Sequence, residues 1–564
     1  MKLNRTLTVV CLAVLSSQVW GQTLDTAVPA TSPAPASTRS RDDDLKQLRE
    51  RIAKQEEEIK QLQQSVEEQR ALLEEAVRNG AVTQPAAGTA PLSDNTVRLV
   101  NVGGMGGGRV AQKVEPSAPV PASPLGVSIG NTTFTPLGFM DMTFFGRSTN
   151  VGSGIGTNFA GIPYNSAAGG HLSETNFSAQ NSRVGFRVDS KFHGWNVLGY
   201  LEADFLFNNN ANSYQIVSNS AGFRLRNYFV DANNGKFEVL GGQDWSFLTP
   251  NRKGLSPIPS DIFYTQNMDT NYQIGLVWTR APQVRFIAHP NENVAFGLAL
   301  ENPQQLIGGG NGSGAAVPPS ALSTLPGTQF QNNTSPLGIP NLMPDIQAKL
   351  AIDGTPSGHA MHFEVAGFVR GFKDYILPVT AAGTAPIPGS HTAVGGGGEV
   401  NSNLEIFKNV RLVENLFFSD GGGRYIFGSA PDLVLRPTGD ISLVHTHSTV
   451  DGIEAQVSPN TLLTFYYGGL YAGRNTSLDT TVKAPYPLIG YGISGSSGAN
   501  QNRYIQEITA GWIQTLWKNK NYGALSLINQ YSYIFREPWV VPSATAPKQA
   551  HTNMVYVDLR YTLP

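Results

Sequence analysis

Met554-Val-Tyr-Val-Asp-Leu-Arg-Tyr-Thr-Leu563 is the last strand-like segment of the chain. Every second residue from Val555 onwards is hydrophobic, whereas Tyr556, Asp558 and Arg560 occupy the positions between them. Successive side chains of a β-strand point to opposite faces, so this segment would carry one apolar face and one polar face. The pattern predicts a strand that meets lipid on one side and a polar interior on the other.

The same alternation recurs through most of the chain, at 140–144, 183–189, 197–205, 346–353, 361–365 and 525–536. Many amphipathic strands behind a secretory leader are typical of an outer-membrane barrel. We therefore predict an all-β transmembrane barrel over residues 125–564, with about 16 antiparallel strands of roughly 9–11 residues each. Stretches rich in Gly, Asn, Ser and Pro are predicted to be long extracellular loops, one or more of which folds into the pore: 150–180, 246–271, 303–345, 375–402 and 475–502.

The composition agrees with a barrel and argues against a helical membrane protein. Glycine accounts for 60 of 564 residues, charged residues for 15% and aromatic residues for 9%. After the first 21 residues, no stretch reaches the 18 or so uninterrupted apolar residues that a membrane helix needs. Half of each barrel strand is polar, so a barrel produces no such stretch.

The N-terminal residues predict export. Lys2 and Arg5 precede an apolar stretch from Leu7 to Leu15, and small and polar residues then lead to Gly21. This order is that of a secretory signal peptide, which we place at residues 1–21. The single cysteine, Cys11, lies inside it, so the mature chain would hold no disulfide. Loss of the two basic residues takes the formal charge from −2 to −4, which gives no overall attraction for nucleic acid.

A heptad repeat follows a disordered lead-in predicted at 22–40. Its a and d positions are Leu45, Leu48, Ile52, Gln55, Ile59, Leu62, Val66, Gln69, Leu73 and Ala76. Uncharged residues at ten successive a and d positions predict a coiled coil over 41–78, and a coiled coil requires partner chains. With glutamine at two d positions, the sequence does not decide between a coiled coil of two helices and one of three. The Gly- and Pro-rich segment 79–124 is predicted to be a flexible linker.

Charged side chains on three consecutive predicted strands form the candidate site. They are Arg183 and Arg187 on the first strand, Glu202 and Asp204 on the second, and Arg224 and Arg226, on one face with Tyr228, on the third. Adjacent antiparallel strands would bring these rows side by side. The planar guanidinium fork suits carboxylate and phosphate solutes, and charged rings at a constriction set ion selectivity. The alternative is a network of ion pairs that only stiffens the wall.

No residue set in the sequence predicts catalysis, a cofactor or a metal site. Gly490-Tyr-Gly-Ile-Ser-Gly495 has the spacing of a dinucleotide-binding motif but lies in a Gly-rich loop without a βαβ context. His445 and His447 alternate on a predicted strand, and nothing nearby completes a ligand set. We predict that the protein is not an enzyme.

Several short motifs follow one another in a fixed order: Gly138-Phe-Met-Asp-Met142, Ser182-Arg-Val-Gly-Phe-Arg-Val188, Gly199-Tyr-Leu-Glu-Ala-Asp-Phe205, Phe223-Arg-Leu-Arg-Asn-Tyr-Phe229, Leu240-Gly-Gly-Gln-Asp-Trp-Ser-Phe-Leu248 and Gly452-Ile-Glu-Ala-Gln-Val457. Together they resemble the DcaP-like family of trimeric outer-membrane porins. The resemblance implies a sixteen-stranded homotrimeric channel with a periplasmic coiled coil. It also implies passive uptake of small anions, notably dicarboxylates, with Arg183, Arg187, Arg224 and Arg226 in the matching motifs. The ending at Pro564 departs from the aromatic terminus usual in barrels.

These observations together predict a porin of the bacterial outer membrane for passive diffusion of small solutes, favouring anions. Its predicted partners are two further copies of the chain, membrane lipid, small anionic solutes and, through the coiled coil in the periplasm, the cell wall. Two alternatives stay open: a general or sugar-selective porin, and a barrel that binds ligands at the surface or tethers the cell wall.

Overall fold

The computed structural model describes residue 57, residue 60 and the ranges 123–207, 222–262, 271–308, 314–332, 338–493, 501–541 and 543–564. The predicted signal peptide, lead-in and nearly all of the linker lie outside these residues. Of the predicted coiled coil only Glu57 and Lys60 are described, and both are helical. The coiled coil therefore stays a prediction.

The described chain is almost entirely strand and loop. Its strands are β1 (Val127–Ile129), β2 (Thr132–Arg147), β3 (Glu174–Ser178), β4 (Arg183–Phe192), β5 (Trp195–Phe207), β6 (Gly222–Asn233), β7 (Phe237–Trp245), β8 (Arg280–Asn291), β9 (Val294–Glu301), β10 (Asp345–Gly354), β11 (Met361–Ile376), β12 (Gly389–Phe407), β13 (Val410–Asp420), β14 (Leu433–Leu435), β15 (Ile441–Leu443), β16 (His445–Ser458), β17 (Thr461–Ala472), β18 (Asn475–Leu478), β19 (Leu488–Tyr491), β20 (Asn502–Asn519), β21 (Gly523–Pro538) and β22 (Ala550–Thr562). An α-helical turn spans Pro259–Ile262, and 3₁₀ turns span Phe159–Gly161, Ala168–His171, Ser320–Leu322, Pro356–Gly358 and Gly423–Tyr425. Within the described ranges, no helix has the length and apolar character needed to cross a membrane.

The main sheet closes on itself as an antiparallel barrel. It contains 18 strands, of which β1 is an edge addition to β2, and β3 and β4 share one position beside β2. Sixteen wall positions remain, as the sequence predicted. Closure is made by β2 and β22, which pair from Phe139 with Thr562 to Arg147 with Met554.

The two faces of the wall differ as the alternation predicted. On β22, Val555 and Leu559 are 43% and 45% exposed on the outer surface. Tyr556, Asp558 and Arg560 are buried on the inner face, where Tyr556 contacts Thr157 of the 148–173 connection and Arg560 contacts Asp141 of β2. The outside is therefore apolar and the inside polar, which suits a barrel in lipid.

Short turns lie at one end of the barrel and long connections at the other. The turns are 193–194, 234–236, 292–293, 355–360, 408–409, 459–460 and 520–522, and the long connections described in whole or in part are 148–173, 246–279, 302–344, 377–388, 421–444, 473–501 and 539–549. The prediction of a loop over 375–402 was wrong in its second half, because β12 begins at Gly389. Gly396 and Gly397 belong to the sheet, where added Cβ atoms would lie 2.6 Å and 2.2 Å from the carbonyl oxygens of Phe368 and Phe418.

Arg560 at the closure provides a test of the fold. Its Nη2 lies 2.8 Å from Asp141 and 3.4 Å from Asp558, and all three side chains are buried. Removal of one partner leaves buried charges unpaired, so Arg560→Gln should lower the free energy of unfolding by about 3–5 kcal/mol. Urea titration in detergent micelles measures this loss. Arg503→Gln, at an exposed arginine, is the control, and equal midpoints for the two variants would contradict the role of Arg560.

Candidate functional site

The connection between β7 and β8, residues 246–279, enters the barrel, and we call it the crossing loop. Arg252 donates to both carboxylate oxygens of Glu454 on β16, at 2.7 and 2.9 Å. The backbone N–H of Asn251 donates to Glu364 on β11, and Lys349 on β10 donates to the carbonyl oxygen of Thr249. The first half of the loop thus reaches the wall formed by β10, β11 and β16.

The second described half of the crossing loop lies against β16, β17 and β20. The Ile274 N–H donates to Glu507 at 2.9 Å, and the Gln273 amide donates to the Glu507 carbonyl oxygen at 2.8 Å. Gly275 has φ +92°, and a Cβ there would lie 2.4 Å from the Thr449 oxygen and 2.7 Å from the Gly469 oxygen. Only glycine allows this close approach of backbone to wall.

Two further connections join the crossing loop inside the barrel. In the 148–173 connection, Thr157 donates to the Asn271 side chain at 2.7 Å. In the 421–444 connection, Tyr425 donates to Asp345 on β10 at 2.7 Å, and its carbonyl oxygen accepts from the Trp278 N–H. The sequence predicted that one or more loops enter the pore, and the structure identifies three that narrow the lumen.

The predicted charged rows on β4, β5 and β6 do meet in the lumen. Arg226 donates to Glu202 and to Asp204, each at 2.7 Å. Arg183 lies 3.5 Å from Glu202, and both are buried. Arg224 donates to both oxygens of Asp204, at 2.9 and 2.6 Å. We call these five residues the arginine cluster.

The members of the cluster differ in their access to open space. The side chains of Arg183 and Arg226 are almost completely covered, whereas that of Arg224 is 35% exposed. Arg224 is thus the arginine of the cluster with the most access to open space. All three arginines pair with wall carboxylates, and contact with a solute stays a prediction.

Two residues from the sequence analysis lie apart from the cluster. Arg187 is bound to Asp189 of its own strand, at 2.7 and 2.6 Å. Tyr228 was predicted on the same face as Arg224 and Arg226, and this was wrong. The register shifts between Glu202 and Ala203, which pair with Asn227 and Leu225, so Arg226 is a bulged residue and Tyr228 points outward.

The structure adds Asp244, Arg280 and Arg285, which the sequence analysis did not place in the site. Arg285 on β8 lies 2.9 Å from Asp244 on β7. Arg280 at the start of β8 lies over the ring of Trp245, 5.0 Å from its centroid, and interacts electrostatically with the arginine cluster. Gln283 and Arg285 alternate with the outward-facing Val284 and Phe286, which was a signal for the inward face of this strand, whereas Arg280 lies outside that alternation.

The opposite wall is rich in carboxylates. Lys349 on β10 lies 2.9 Å from Glu364 and 3.5 Å from Glu399, so one cation faces two acids. His362 and Arg370 on β11 also contact acids on this side, at Glu364 and Asp345, so β10–β12 carry a network of ion pairs. Among the described residues, no group of three or more His, Cys, Asp or Glu side chains has the arrangement of a metal site.

Neither a family model nor a curated relative matches the sequence. Among solved structures, the outer membrane channel DcaP of Acinetobacter baumannii aligns with a TM-score of 0.52 and 15% identity, over 77% of this chain and 98% of that chain. The fold is shared with the outer-membrane channel DcaP. Pseudomonas putida OprB gives a TM-score of 0.41 at 9% identity, covering 76% of this chain and 94% of its own. Salmonella typhi OmpF gives 0.38 at 10% identity, covering 78% and 99%. The resemblance to DcaP-like porins predicted from the motifs is thus confirmed at the level of fold.

Gly275→Ala tests whether the crossing loop sets the narrowest part of the lumen. Alanine at positive φ costs about 1–2 kcal/mol, and its Cβ would collide with the backbone of Thr449. We expect the loop to leave the wall and single-channel conductance in potassium chloride to rise. Gly199→Ala is the control, because a Cβ there makes an ordinary 3.6 Å contact with Val188. Unchanged conductance in a folded Gly275→Ala protein would show that the crossing loop does not form the narrowest part of the lumen.

Proposed function

We propose that the protein is an outer-membrane porin for passive diffusion of small solutes and that it favours anions such as dicarboxylates. A closed barrel with an apolar outer face and a polar interior supports the channel. The observation that supports anion preference is Arg224, a cation with access to open space inside a narrowed lumen.

Local charge supports the preference for anions. On β4–β8, Arg183, Arg224, Arg226 and Arg285 pair with Glu202, Asp204 and Asp244, and the carboxylates of Asp231 and Glu238 are buried on the same strands. The charge that favours an anion is therefore local to Arg224, whose side chain is 35% exposed. Passive conduction also requires that a solute leave again, and several weak contacts along the wall allow this better than one strong contact.

A dicarboxylate would pass Arg224 on its way through the lumen. Glu364 and Glu399 on the opposite wall are buried against Lys349, so they present no open negative charge that would repel it.

A general porin is the second candidate, and one observation favours it. Arg183 and Arg226 each interact with acids within the wall, so much of the arginine charge is neutralised locally. Under this alternative the arginines fix the shape of the wall, and solutes are sorted by size alone.

Arg224→Gln separates the two candidates. An interaction between unit charges 4 Å apart is worth about 1 kcal/mol in water, so we expect the anion-to-cation permeability ratio to fall roughly fivefold. Reversal potentials in planar bilayers across a potassium chloride gradient measure the ratio. Arg187→Gln is the matched control, because Arg187 is bound to Asp189 away from the cluster. Equal permeability ratios in wild type and Arg224→Gln would contradict the anion preference and favour the general porin.

We also propose that three copies assemble in the bacterial outer membrane, with the predicted coiled coil in the periplasm. The support is a polar patch on the apolar outer face. Glu414 on β13 and Asp451 on β16 are direct partners in the sheet and share the outward alternation of Leu416 and Ile453. They accept hydrogen bonds from Ser402 and Thr449, each at 3.0 Å, and neither forms a salt bridge with a described residue.

Charged groups on a lipid-facing wall are destabilising, so a covering subunit is the better environment for this patch. Cross-linking of single-cysteine variants with a short bis-maleimide tests the assignment. Thr449→Cys should give covalent oligomers in membranes. Val230→Cys, on β6 at the opposite side of the barrel, should not. Cross-links from Val230→Cys alone would place the subunit contact on the opposite wall.

A further inference from the structure

Strands β11 and β12 form a ribbon that projects beyond its neighbours at the end of the barrel with the long connections. The pairing of β10 with β11 stops at Val369, and that of β13 with β12 stops at Gly396. The two strands continue to pair with each other as far as Ile376 and Gly389. At roughly 3.3 Å per residue, about 20 Å of ribbon therefore lies outside the part of the wall that spans the membrane.

The 421–444 connection, which narrows the lumen, turns back against this ribbon. Its hairpin of β14 and β15 ends in a turn where the Gly439 N–H donates to the Arg436 carbonyl oxygen at 2.9 Å. Gly439 has φ +103°, and an added Cβ would lie 2.2 Å from Ile376 Cδ1 and 2.9 Å from His391 Cε1. The turn therefore lies directly on the side chain of His391.

Both ring nitrogens of His391 face acceptors. Nδ1 lies 3.2 Å from a carboxylate oxygen of Asp440 in the turn, and Nε2 lies 2.9 Å from the carbonyl oxygen of Ile387 in the 377–388 connection. A neutral imidazole has one donor and one lone pair and can satisfy only one of these acceptors, whereas an imidazolium donates to both. The side chain is only 9% exposed, so little water reaches it to replace a lost contact. The geometry therefore fits the protonated histidine.

A buried carboxylate lies beside the same ring. Asp374 is the direct partner of His391 in the sheet, both of its carboxylate oxygens are buried, and no described side chain donates a hydrogen bond to them. A charged imidazolium compensates this carboxylate, whereas a neutral imidazole does not.

No other charged group competes for His391 among the described elements packed around it. The charges with which it interacts are Asp374 and Asp440. The 377–388 connection contains no titratable residue, and the Arg436 guanidinium in the turn donates to Thr476 and Ser442 instead. Lys373 and Tyr375 alternate with Asp374 and so lie on the other face of β11.

The 421–444 connection is attached to the barrel at two places. Inside the lumen, Tyr425 donates to Asp345 at 2.7 Å, and Asp432 lies 3.0 Å from Arg370. At the tip of its hairpin, the contacts with His391 and with the Ile387 N–H, which donates to the Thr438 carbonyl oxygen, hold it against the ribbon. Release of the tip would let the hairpin move and change the space available to solutes.

We propose that His391, Asp374 and Asp440 form a pH-sensitive latch that holds the 421–444 connection in place when His391 is protonated and releases it when the proton is lost. The latch goes beyond the proposed anion preference, because it controls the width of the path and not the charge along it.

Both buried titrating groups favour latching at acid pH. Burial by itself lowers the pKa of His391, but its hydrogen bonds to Ile387 and Asp440 and the charge of Asp374 raise it above the ordinary 6.5. Burial raises the pKa of Asp374 from 3.8 to about 6. A group with a raised pKa binds its proton more tightly in the latched state. The contribution of Asp374 is therefore lost as pH rises to about 6, and that of His391 as pH rises through its raised pKa.

Hydrogen exchange measures release of the hairpin directly. Exchange of the backbone amides of residues 433–443 is followed by mass spectrometry on purified protein in detergent, from about pH 5 to about pH 9, with correction for the intrinsic pH dependence of exchange. Loss of one hydrogen bond from a charged group should make these amides exchange about tenfold faster above the transition than below it. Amides 461–472 of β17, in the wall, serve as the internal control and should not show the transition.

Single-channel conductance in planar bilayers measures the effect on the lumen. We expect the conductance of the wild type in potassium chloride to rise with pH over the same range. His391→Gln should show the higher conductance and the faster exchange at every pH. His391→Arg, with a fixed positive charge, should show the lower values at every pH. His551→Gln is the matched control, because His551 is exposed on β22, and its transition should be that of the wild type.

Asp440→Asn keeps an acceptor for the ring but removes the charge that favours the imidazolium. The pH of the transition should therefore fall by about half a unit. Because Asp440 is 66% exposed, this variant decides if His391→Gln does not fold. A transition at the wild-type pH in Asp440→Asn would overturn the latch.

The outcomes for the latch and for the proposed function are distinct. Exchange of 433–443 that does not change with pH would overturn the latch, as would a wild-type transition in His391→Gln. A transition in exchange beside a constant, measurable conductance would overturn its effect on the lumen. Hydrogen exchange does not depend on conduction, so the exchange transition in a protein without conductance, or without anion preference, would remove the proposed function and leave the latch.

Discussion

Hydrogen bonding between β2 and β22 is the constraint on which the rest of the structure depends. Backbone N–H and C=O groups have no partners in hydrocarbon, so a sheet with an apolar outer face must leave no edge open. Strands β2 and β22 pair with each other and so close the sheet, with Phe139 opposite Thr562. Once the sheet is closed, every strand has one side facing outward and one facing a shared interior.

Closure then determines what the interior holds. A sixteen-stranded barrel is too wide for its own side chains to fill, so the lumen is either open or occupied by loops. Here the crossing loop and the 148–173 and 421–444 connections occupy part of it. In the crossing loop, backbone N–H groups donate to Glu364 and Glu507, and the Arg252 side chain donates to Glu454. These wall acids therefore anchor the loop, and in the arginine cluster Arg224 keeps the most exposed side chain.

Much of the barrel was predictable because strand alternation is a local property. Val555, Asp558 and Leu559 lie on the faces that their order requires, and sixteen wall positions follow from the length of the segment. Errors arose where local composition was misleading. The glycines at 396–398 indicated a loop but belong to β12. Glycine is needed at Gly396 and Gly397 because neighbouring carbonyl oxygens leave no room for a Cβ. Tyr228 was misplaced because one bulged residue, Arg226, reverses the alternation after it.

The sequence by itself determined the two-faced strands, their number and the charged rows on β4, β5 and β6, since these depend only on the order of polar and apolar residues. Tertiary structure alone decided which arginine is accessible. Arg183 and Arg226 are covered and Arg224 is not, because Glu202 and Asp204 come from a neighbouring strand and loops cover part of the cluster.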